Sequence, residues 1–233
     1  MRHLDLFSGI GGFALAARWM GWETVQFVEI DKFCQKVLAK NFPGVPIHDD
    51  IKTFDGTKWT NRVDLLTGGF PCQDLSVASS NGKQGFEGAK SGLYNDLIRC
   101  IRDIKPTNAL LENVYGLVTQ DNGQALETML RDLEIEGYQA IPMVLYSSAI
   151  GANHHRKRFF AYATRQRNGV PSWEIQARRH EPKHGTWWDT EPSVCRVYDG
   201  LPEGLDKRRL RALGNAVEPQ KILDIFKAIS STL

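Results

Sequence analysis

Leu4-Asp5-Leu6-Phe7-Ser8-Gly9-Ile10-Gly11-Gly12-Phe13-Ala14 reads as a strand turning sharply into a helix. The apolar run Leu4 to Phe7 has strand character, and Phe13 to Met20 has helical spacing stopped by Gly21. Glycines between them let the chain reverse and let a ligand approach both the backbone and the helix N-terminus. Gly9, Gly11 and Ala14 satisfy a relaxed dinucleotide fingerprint. Glu29 follows Gly9 by 20 residues, at the end of a second strand, Val25 to Val28, where an acid can bind ribose hydroxyls.

Outward from this turn, short apolar runs alternate with helical patterns through the first 110 or so residues, as βαβ units on a parallel sheet require. Lys32 to Phe42 is the second helix, and Ile47 to Ile51 a short third strand or its outgoing turn. Val63 to Thr67 is a strand broken by Gly68-Gly69-Phe70-Pro71, so Cys72 emerges past the carboxyl end of a central strand, the edge where open α/β sheets bind ligands. Ser76 to Gly92 has four glycines and no periodicity, and is read as a loop able to close over a site. Leu93 to Ile104 and Gln124 to Glu136 are helices, and Asn108 to Leu111 is a strand ending in Glu112-Asn113. Ala140 to Ser147 and Phe159 to Thr164 are the last strands, expected to be antiparallel neighbours. From Arg165 to Asp199 periodicity vanishes among Arg, His, Trp and Pro; helices Arg208 to Leu213 and Pro219 to Ile229 then close the chain around Gly214-Asn215-Ala216-Val217. The fold class is therefore α/β, with helices on both faces of a sheet and a small irregular appendage.

The 233 residues are 42% hydrophobic and 24% charged, which excludes disorder, collagen and coiled coil and allows one α/β domain with an appendage. No stretch approaches the ~18 apolar residues of a membrane helix, and the first residues lack a signal-peptide pattern, so a cytoplasmic protein without a membrane partner is expected. Cys34, Cys72, Cys100 and Cys195 lie far apart, arguing against a disulfide framework and a structural zinc. Net charge is +2, yet residues 1–150 hold 14 basic and 18 acidic side chains against 15 and 9 in residues 151–233. The resulting −4 and +6 suggest a polyanion near the C-terminal third; a solvated basic face is the plainer reading.

Three further segments carry chemistry. A lone cysteine is usually buried and inert, but glycines and a proline in Gly68-Gly69-Phe70-Pro71-Cys72-Gln73 hold this thiol at a ligand-facing edge, as a nucleophile needs. Glu112-Asn113-Val114 ends the next strand; its carboxyl faces the same cleft if the two strands are neighbours, and burial can keep it protonated and hydrogen-bond donating. The bland alternative is a helix N-cap cluster. Arg156-Lys157-Arg158 as strand puts two guanidiniums on one face, suited to a base carbonyl or a phosphate; a solvated basic run is the alternative. The glycine turn itself suits a dinucleotide, S-adenosylmethionine, or no ligand.

Taken in order, Asp5-Leu6-Phe7-Ser8-Gly9-Ile10-Gly11-Gly12-Phe13, Glu29, Asp50-Ile51, Gly69-Phe70-Pro71-Cys72-Gln73-Asp74-Leu75-Ser76, Glu112-Asn113-Val114, Arg156-x-Arg158 and Gly214-Asn215-Ala216-Val217 resemble the cytosine-C5 DNA methyltransferase family. The resemblance spans residue 3 to about 164 and resumes near Leu213. It implies a Rossmann-like S-adenosylmethionine-dependent sheet, with a catalytic domain over 1–164, a reduced target-recognition region over 165–205 and helices returning to the catalytic domain over 206–233. It also implies that Phe7, Gly9, Gly11, Glu29, Ile30, Asp50, Ile51, Gly69, Pro71, Leu93 and Asn215 surround S-adenosylmethionine, leaving S-adenosylhomocysteine as product. In that scheme Glu29 holds the ribose and Asp50 the adenine amino group.

By the same resemblance Cys72 adds to C6 of a flipped cytosine, protonated Glu112 donates to N3, Arg158 holds O2 and Arg156 supports the site, with no metal. Gln73, Ser76, Arg178, Arg179 and Lys183 would contact double-stranded DNA, and a cognate restriction endonuclease is a candidate partner. The chain departs from the family's usual pattern at Asn153-His154 for Pro-Gln, at Ile30 for an aromatic, at Ala216 for Ser, and in the size of the recognition region. That reduced region keeps a tRNA cytosine-5 methyltransferase in view as an alternative. A DNA-binding or immunity protein that holds the cofactor without turnover is another, and an NAD-dependent oxidoreductase rests on the glycine turn alone.

Overall fold

The computed structural model describes residues 1–71, 92–150, 156–166 and 203–231, apart from the side chains of 120, 121, 150, 203–207 and 210. Seven strands form one sheet: β1 (Arg2–Leu6), β2 (Glu23–Val28), β3 (Ile47–His48), β4 (Leu65–Gly69), β5 (Asn108–Val114), β6 (Gln139–Tyr146) and β7 (Lys157–Thr164). Their order is β3-β2-β1-β4-β5-β7-β6. The first five run parallel, while β7 lies antiparallel between β5 and β6. The expected alternation of strands and helices and the expected antiparallel last pair are both found.

Successive side chains of a strand point to opposite faces, and the two packed layers divide accordingly. Leu65, Leu110 and Phe160 join Phe13, Ala16 and Ala17 of α1 (Gly12–Trp19) and Ile222, Ile225 and Phe226 of α7 (Pro219–Ser230) on one side. Their immediate neighbours Leu66, Leu111 and Phe159 pack on the other side with Tyr94, Leu97 and Ile101 of α3 (Gly92–Ile104) and Met129 and Leu133 of α5 (Gln124–Ile135). Burying a Leu or Phe side chain contributes roughly 1.5–3 kcal/mol, so the doublets Leu65-Leu66, Leu110-Leu111 and Phe159-Phe160 hold both layers to the sheet.

Local chemistry fixes the connections. Gly11 caps α1 at φ 89°, in the left-handed region. Asp31 caps α2 (Lys32–Asn41), its carboxylate accepting from the Phe33 and Cys34 amides. The expected short third strand and its outgoing turn are both present: Ile47 and His48 pair, and Ile51–Thr53 is a 3₁₀ turn capped by Asp50. The helix α6 (Glu203–Asn215) is longer than the expected Arg208 to Leu213, because Gly204 masked its first turn in the pattern. A four-residue helix, α4 (Gly116–Thr119), follows β5.

Candidate active site

The carboxyl ends of β1, β2, β4 and β5 converge with the start of β7, and every described candidate lies on that rim or on a segment packed against it. In the first turn Phe7 (φ 52°), Gly9 (φ 53°) and Gly11 (φ 89°) all take left-handed backbone. A Cβ added at Gly9 would meet nothing within 4 Å, so the chain leaves space above the turn. The buried Glu29 carboxylate accepts from the Gly9 amide at 2.6 Å and the Asp31 amide at 2.8 Å. Burial raises its pKa, while those amides and the Ile30 amide oppose the shift.

Asp50 is half-buried and accepts from the Lys52 amide at 2.9 Å. The Ile51 side chain is buried, with Phe7 and Leu93 packed half-buried against its cluster. Ile30, the residue after Glu29, is 69% exposed. Arg99 of α3 ties this corner together, donating to the Ile51 carbonyl at 2.6 Å and the Phe54 carbonyl at 2.9 Å. The sequence reading missed Arg99. Its one signal was an arginine flanked at helical spacing by Asp96 and Asp103, both of which it pairs with.

The second half of the rim is built by register. In the β4–β5 ladder Gly69 stands opposite Glu112, and a Cβ at Gly69 would approach Glu112 Oε2 to 3.4 Å. Strands β4 and β5 are thus the neighbours the sequence reading required. The side-chain Nδ2 of Asn113 donates to the Phe70 carbonyl at 3.0 Å, fixing the segment that leads through Pro71 toward Cys72. Glu112 is a strand residue with 7% exposure, not part of a helix cap. Arg158 Nε lies 2.9 Å from Glu112 Oε1. Burial raises the Glu112 pKa, opposed by the charges of Arg158, Arg156 and Lys221, so this acid is held toward its protonated form beside a guanidinium.

The alternation expected for Arg156-Lys157-Arg158 has a consequence at the next residue. Lys157 sits over the Tyr115 ring at 3.8 Å and the Tyr146 ring at 5.1 Å, away from Glu112. Arg156 reaches across the site, donating to the carbonyls of Gly214 at 2.8 Å and Ala216 at 3.0 Å. It thereby joins the strand to the Gly214-Asn215-Ala216-Val217 corner, whose Asn215 is exposed at the end of α6. That corner also presses on the glycine turn: a Cβ at Gly12 would come within 2.6 Å of Val217 Cγ2 and 2.7 Å of its carbonyl oxygen.

Cys72, Gln73, Ser76, Arg178, Arg179 and Lys183 lie outside the described residues. Two other cysteines, Cys34 and Cys100, are buried, and burial pushes each thiol up to about 12, the inert state of a core cysteine. Among the described residues no helix is long and apolar enough to cross a membrane.

Sheet order, glycine turn and the acid–arginine pair together have the architecture of a Rossmann-like methyltransferase. Comparison with known proteins narrows this. A profile of C-5 cytosine-specific DNA methylases matches residues 1–199. The type II methyltransferase M.CviJI of Paramecium bursaria Chlorella virus IL3A is 34% identical over 228 residues, 98% of this chain and 59% of that protein. Similarly, M.HhaI of Haemophilus parahaemolyticus is 33% identical over 176 residues, covering 75% and 52%. In fold, the S. pombe Dnmt2 methyltransferase superimposes with a TM-score of 0.59 at 22% identity, over 70% of this chain and 50% of that one. The chain belongs to the C-5 cytosine-specific DNA methylase family, and spans about a third to three-fifths of the length of the curated relatives it matches.

Proposed function

We propose that the chain is a DNA (cytosine-5-) methyltransferase that transfers a methyl group from S-adenosylmethionine to C5 of a cytosine flipped out of duplex DNA, working in the cytoplasm. The observation that carries this reading is the buried Glu112 paired at 2.9 Å with the half-buried Arg158, Glu112 standing opposite Gly69 on the strand that runs into Pro71 and Cys72. An acid held toward its protonated form and a guanidinium side by side match the N3 and O2 edge of cytosine, which needs one donor at each atom.

The residues present at the glycine turn fit S-adenosylmethionine. Open space lies above Gly9, Glu29 follows β2 where ribose hydroxyls would reach it, and Asp50 directly precedes Ile51, against whose cluster Phe7 and Leu93 pack, as polar and apolar groups for an adenine. Ile30, Gly11, Gly69, Pro71 and Asn215 complete that proposed pocket. When bound, this cofactor supplies an electrophilic methyl on a sulfonium, and leaves as S-adenosylhomocysteine.

Cytosine C5 is a poor nucleophile, and the chain's own groups change that. The Cys72 thiolate adds to C6. Glu112 delivers its proton to N3 as charge develops there, while Arg158 holds O2, so the ring becomes an enamine nucleophilic at C5. After methylation, loss of the C5 proton to solvent expels Cys72 as its thiolate, and N3 returns its proton to Glu112, restoring the neutral ring and the acid. Arg156 keeps Arg158 in place by anchoring the strand to the Gly214 and Ala216 carbonyls. Gln73, Ser76, Arg178, Arg179 and Lys183 are the proposed DNA contacts, within a recognition region of residues 165–205 between the catalytic domain and helices 206–233.

Labelled S-adenosylmethionine incubated with duplex DNA and, separately, with tRNA tests the reading. Label recovered as 5-methylcytosine in the duplex is expected; label in tRNA alone overturns the DNA assignment. Cys72→Ala should abolish transfer.

A further inference from the structure

Lys221 is 3% exposed, and it stands on the apolar stripe of α7, one position before Ile222 and four before Ile225. Its ammonium lies 3.0 Å from Ser147 Oγ and 3.1 Å from Glu218 Oε2. Ser147, just beyond β6, offers its single hydroxyl proton to Glu218 Oε1 at 2.8 Å or to the Arg156 carbonyl at 3.0 Å. Its amide donates to the same carbonyl, also at 3.0 Å. From Arg156 the chain passes directly to Arg158 on Glu112, while the Arg156 guanidinium returns to the Gly214 and Ala216 carbonyls beside Glu218. The result is a closed circuit through the end of β6, the start of β7, the α6–α7 corner and the first turn of α7.

Stability does not account for this arrangement. A buried Lys–Glu pair loses several kcal/mol of hydration per ion, and an apolar side chain on this stripe would pack without that cost. What the pair adds is direction, because an ammonium with two fixed acceptors sets the distance between α7 and the strand that carries both arginines.

We propose that Lys221 is a positioning residue for the Glu112–Arg158 pair: braced by Ser147 and Glu218, it fixes the chain entering β7 and so the seat of Arg158 on Glu112. Its consequence for turnover rests on the methyltransferase reading, whereas its effect on Glu112 does not. The charged groups facing Glu112 are Arg158 and Arg156 at the start of β7 and Lys221 from α7, all of which favour its ionised form. Those facing Lys221 are Glu218, which caps its own helix, and Arg156 and Arg158 from the start of β7.

The experiment is Lys221→Met, with two readouts. Carboxyl ¹³C NMR of the free protein, with Glu112 assigned through Glu112→Gln, should show the Glu112 midpoint moving to higher pH by roughly 0.5 pH unit or more, since a cation favouring the ionised form has gone. Methylation of duplex DNA should show kcat lowered roughly 10- to 100-fold with KM for S-adenosylmethionine within about twofold. An unmoved midpoint overturns the proposal, even where activity falls; because losing the Lys221 charge alone also raises the midpoint, Ser147→Ala, which keeps that charge, must raise it too, and an unmoved midpoint in that variant overturns the positioning role. A wild-type protein that transfers no methyl group while the midpoint still moves sinks the methyltransferase reading and leaves the positioning role standing. Should Lys221→Met not fold, Ser147→Ala removes one oxygen and keeps the charge; it should lower kcat in the same way, and an unchanged kcat with active wild-type protein overturns the proposal.

Discussion

Asp5→Asn should change how stability depends on pH, in a window that the structure defines. Asp5 is fully buried beneath the glycine turn; Oδ1 accepts the Thr67 hydroxyl at 2.5 Å and Oδ2 has no hydrogen-bond partner. Burial pushes its carboxyl up to about 8, with the Thr67 bond opposing and the Glu29 charge adding. Thr67 Oγ1 also lies 2.7 Å from His3 Nε2, and burial pushes that imidazole down to about 3. Unfolded values are about 3.9 and 6.5. Between roughly pH 4 and 6.5 the folded chain keeps an Asp5 proton the unfolded chain has lost, and lacks a His3 proton the unfolded chain holds. The two slopes oppose and cancel.

Above about pH 6.5 only Asp5 remains, so stability falls as pH rises, by about 1.4 kcal/mol per pH unit, or about 2 kcal/mol by pH 8. Asparagine cannot titrate, and its amide next to an unpartnered position adds a pH-independent cost of about 1–3 kcal/mol. Urea unfolding of both proteins at several values from pH 6.5 to 8 measures the difference. Glu29, Glu112, Cys34 and Cys100 titrate in both and drop out of it. The variant should gain about 2 kcal/mol on the wild type across that interval; parallel stability curves would refute the burial argument.

Glu112→Gln keeps the shape of the side chain and removes its transferable proton, so kcat should fall by about 10²- to 10³-fold with cofactor affinity retained, as calorimetry would show. Gly12→Ala drives a methyl into Val217 Cγ2 and its carbonyl, and should cost about 1–3 kcal/mol in chemical denaturation; no loss would mean the corner is loosely held. Ile30→Trp places an aromatic at a 69% exposed position beside the proposed adenine site and should tighten S-adenosylmethionine by up to about 10-fold, a stacking gain of about 0.5–1.5 kcal/mol.

The site's frame was legible because strand ends and turns are written locally. Gly68-Gly69 after Val63 to Thr67 and Glu112 after Asn108 to Leu111 each announce a strand reaching the ligand edge, and β4–β5 pairing then brings Gly69 opposite Glu112. Alternation in Arg156-Lys157-Arg158 likewise separated the lysine from the arginines. What remained hidden depends on long-range packing. Lys221 falls on the i, i+1, i+4, i+5 and i+8 stripe with Ile222, Ile225, Phe226 and Ile229, so a charge on an apolar face was the available signal, but its partner Ser147 lies 74 residues away. His3 and Thr67 look like ordinary strand residues until β1 and β4 pair them.

In the proposed reaction one sulfur, on Cys72, bonds covalently to the pyrimidine. Intact-mass analysis of the protein incubated with S-adenosylmethionine and a duplex carrying 5-fluorocytosine, whose C5 fluorine blocks the final elimination, measures that bond. A stable protein–DNA adduct in the wild type and none in Cys72→Ala is predicted. Methyl transfer to ordinary duplex without any trapped adduct, or an adduct that survives Cys72→Ala, would contradict it.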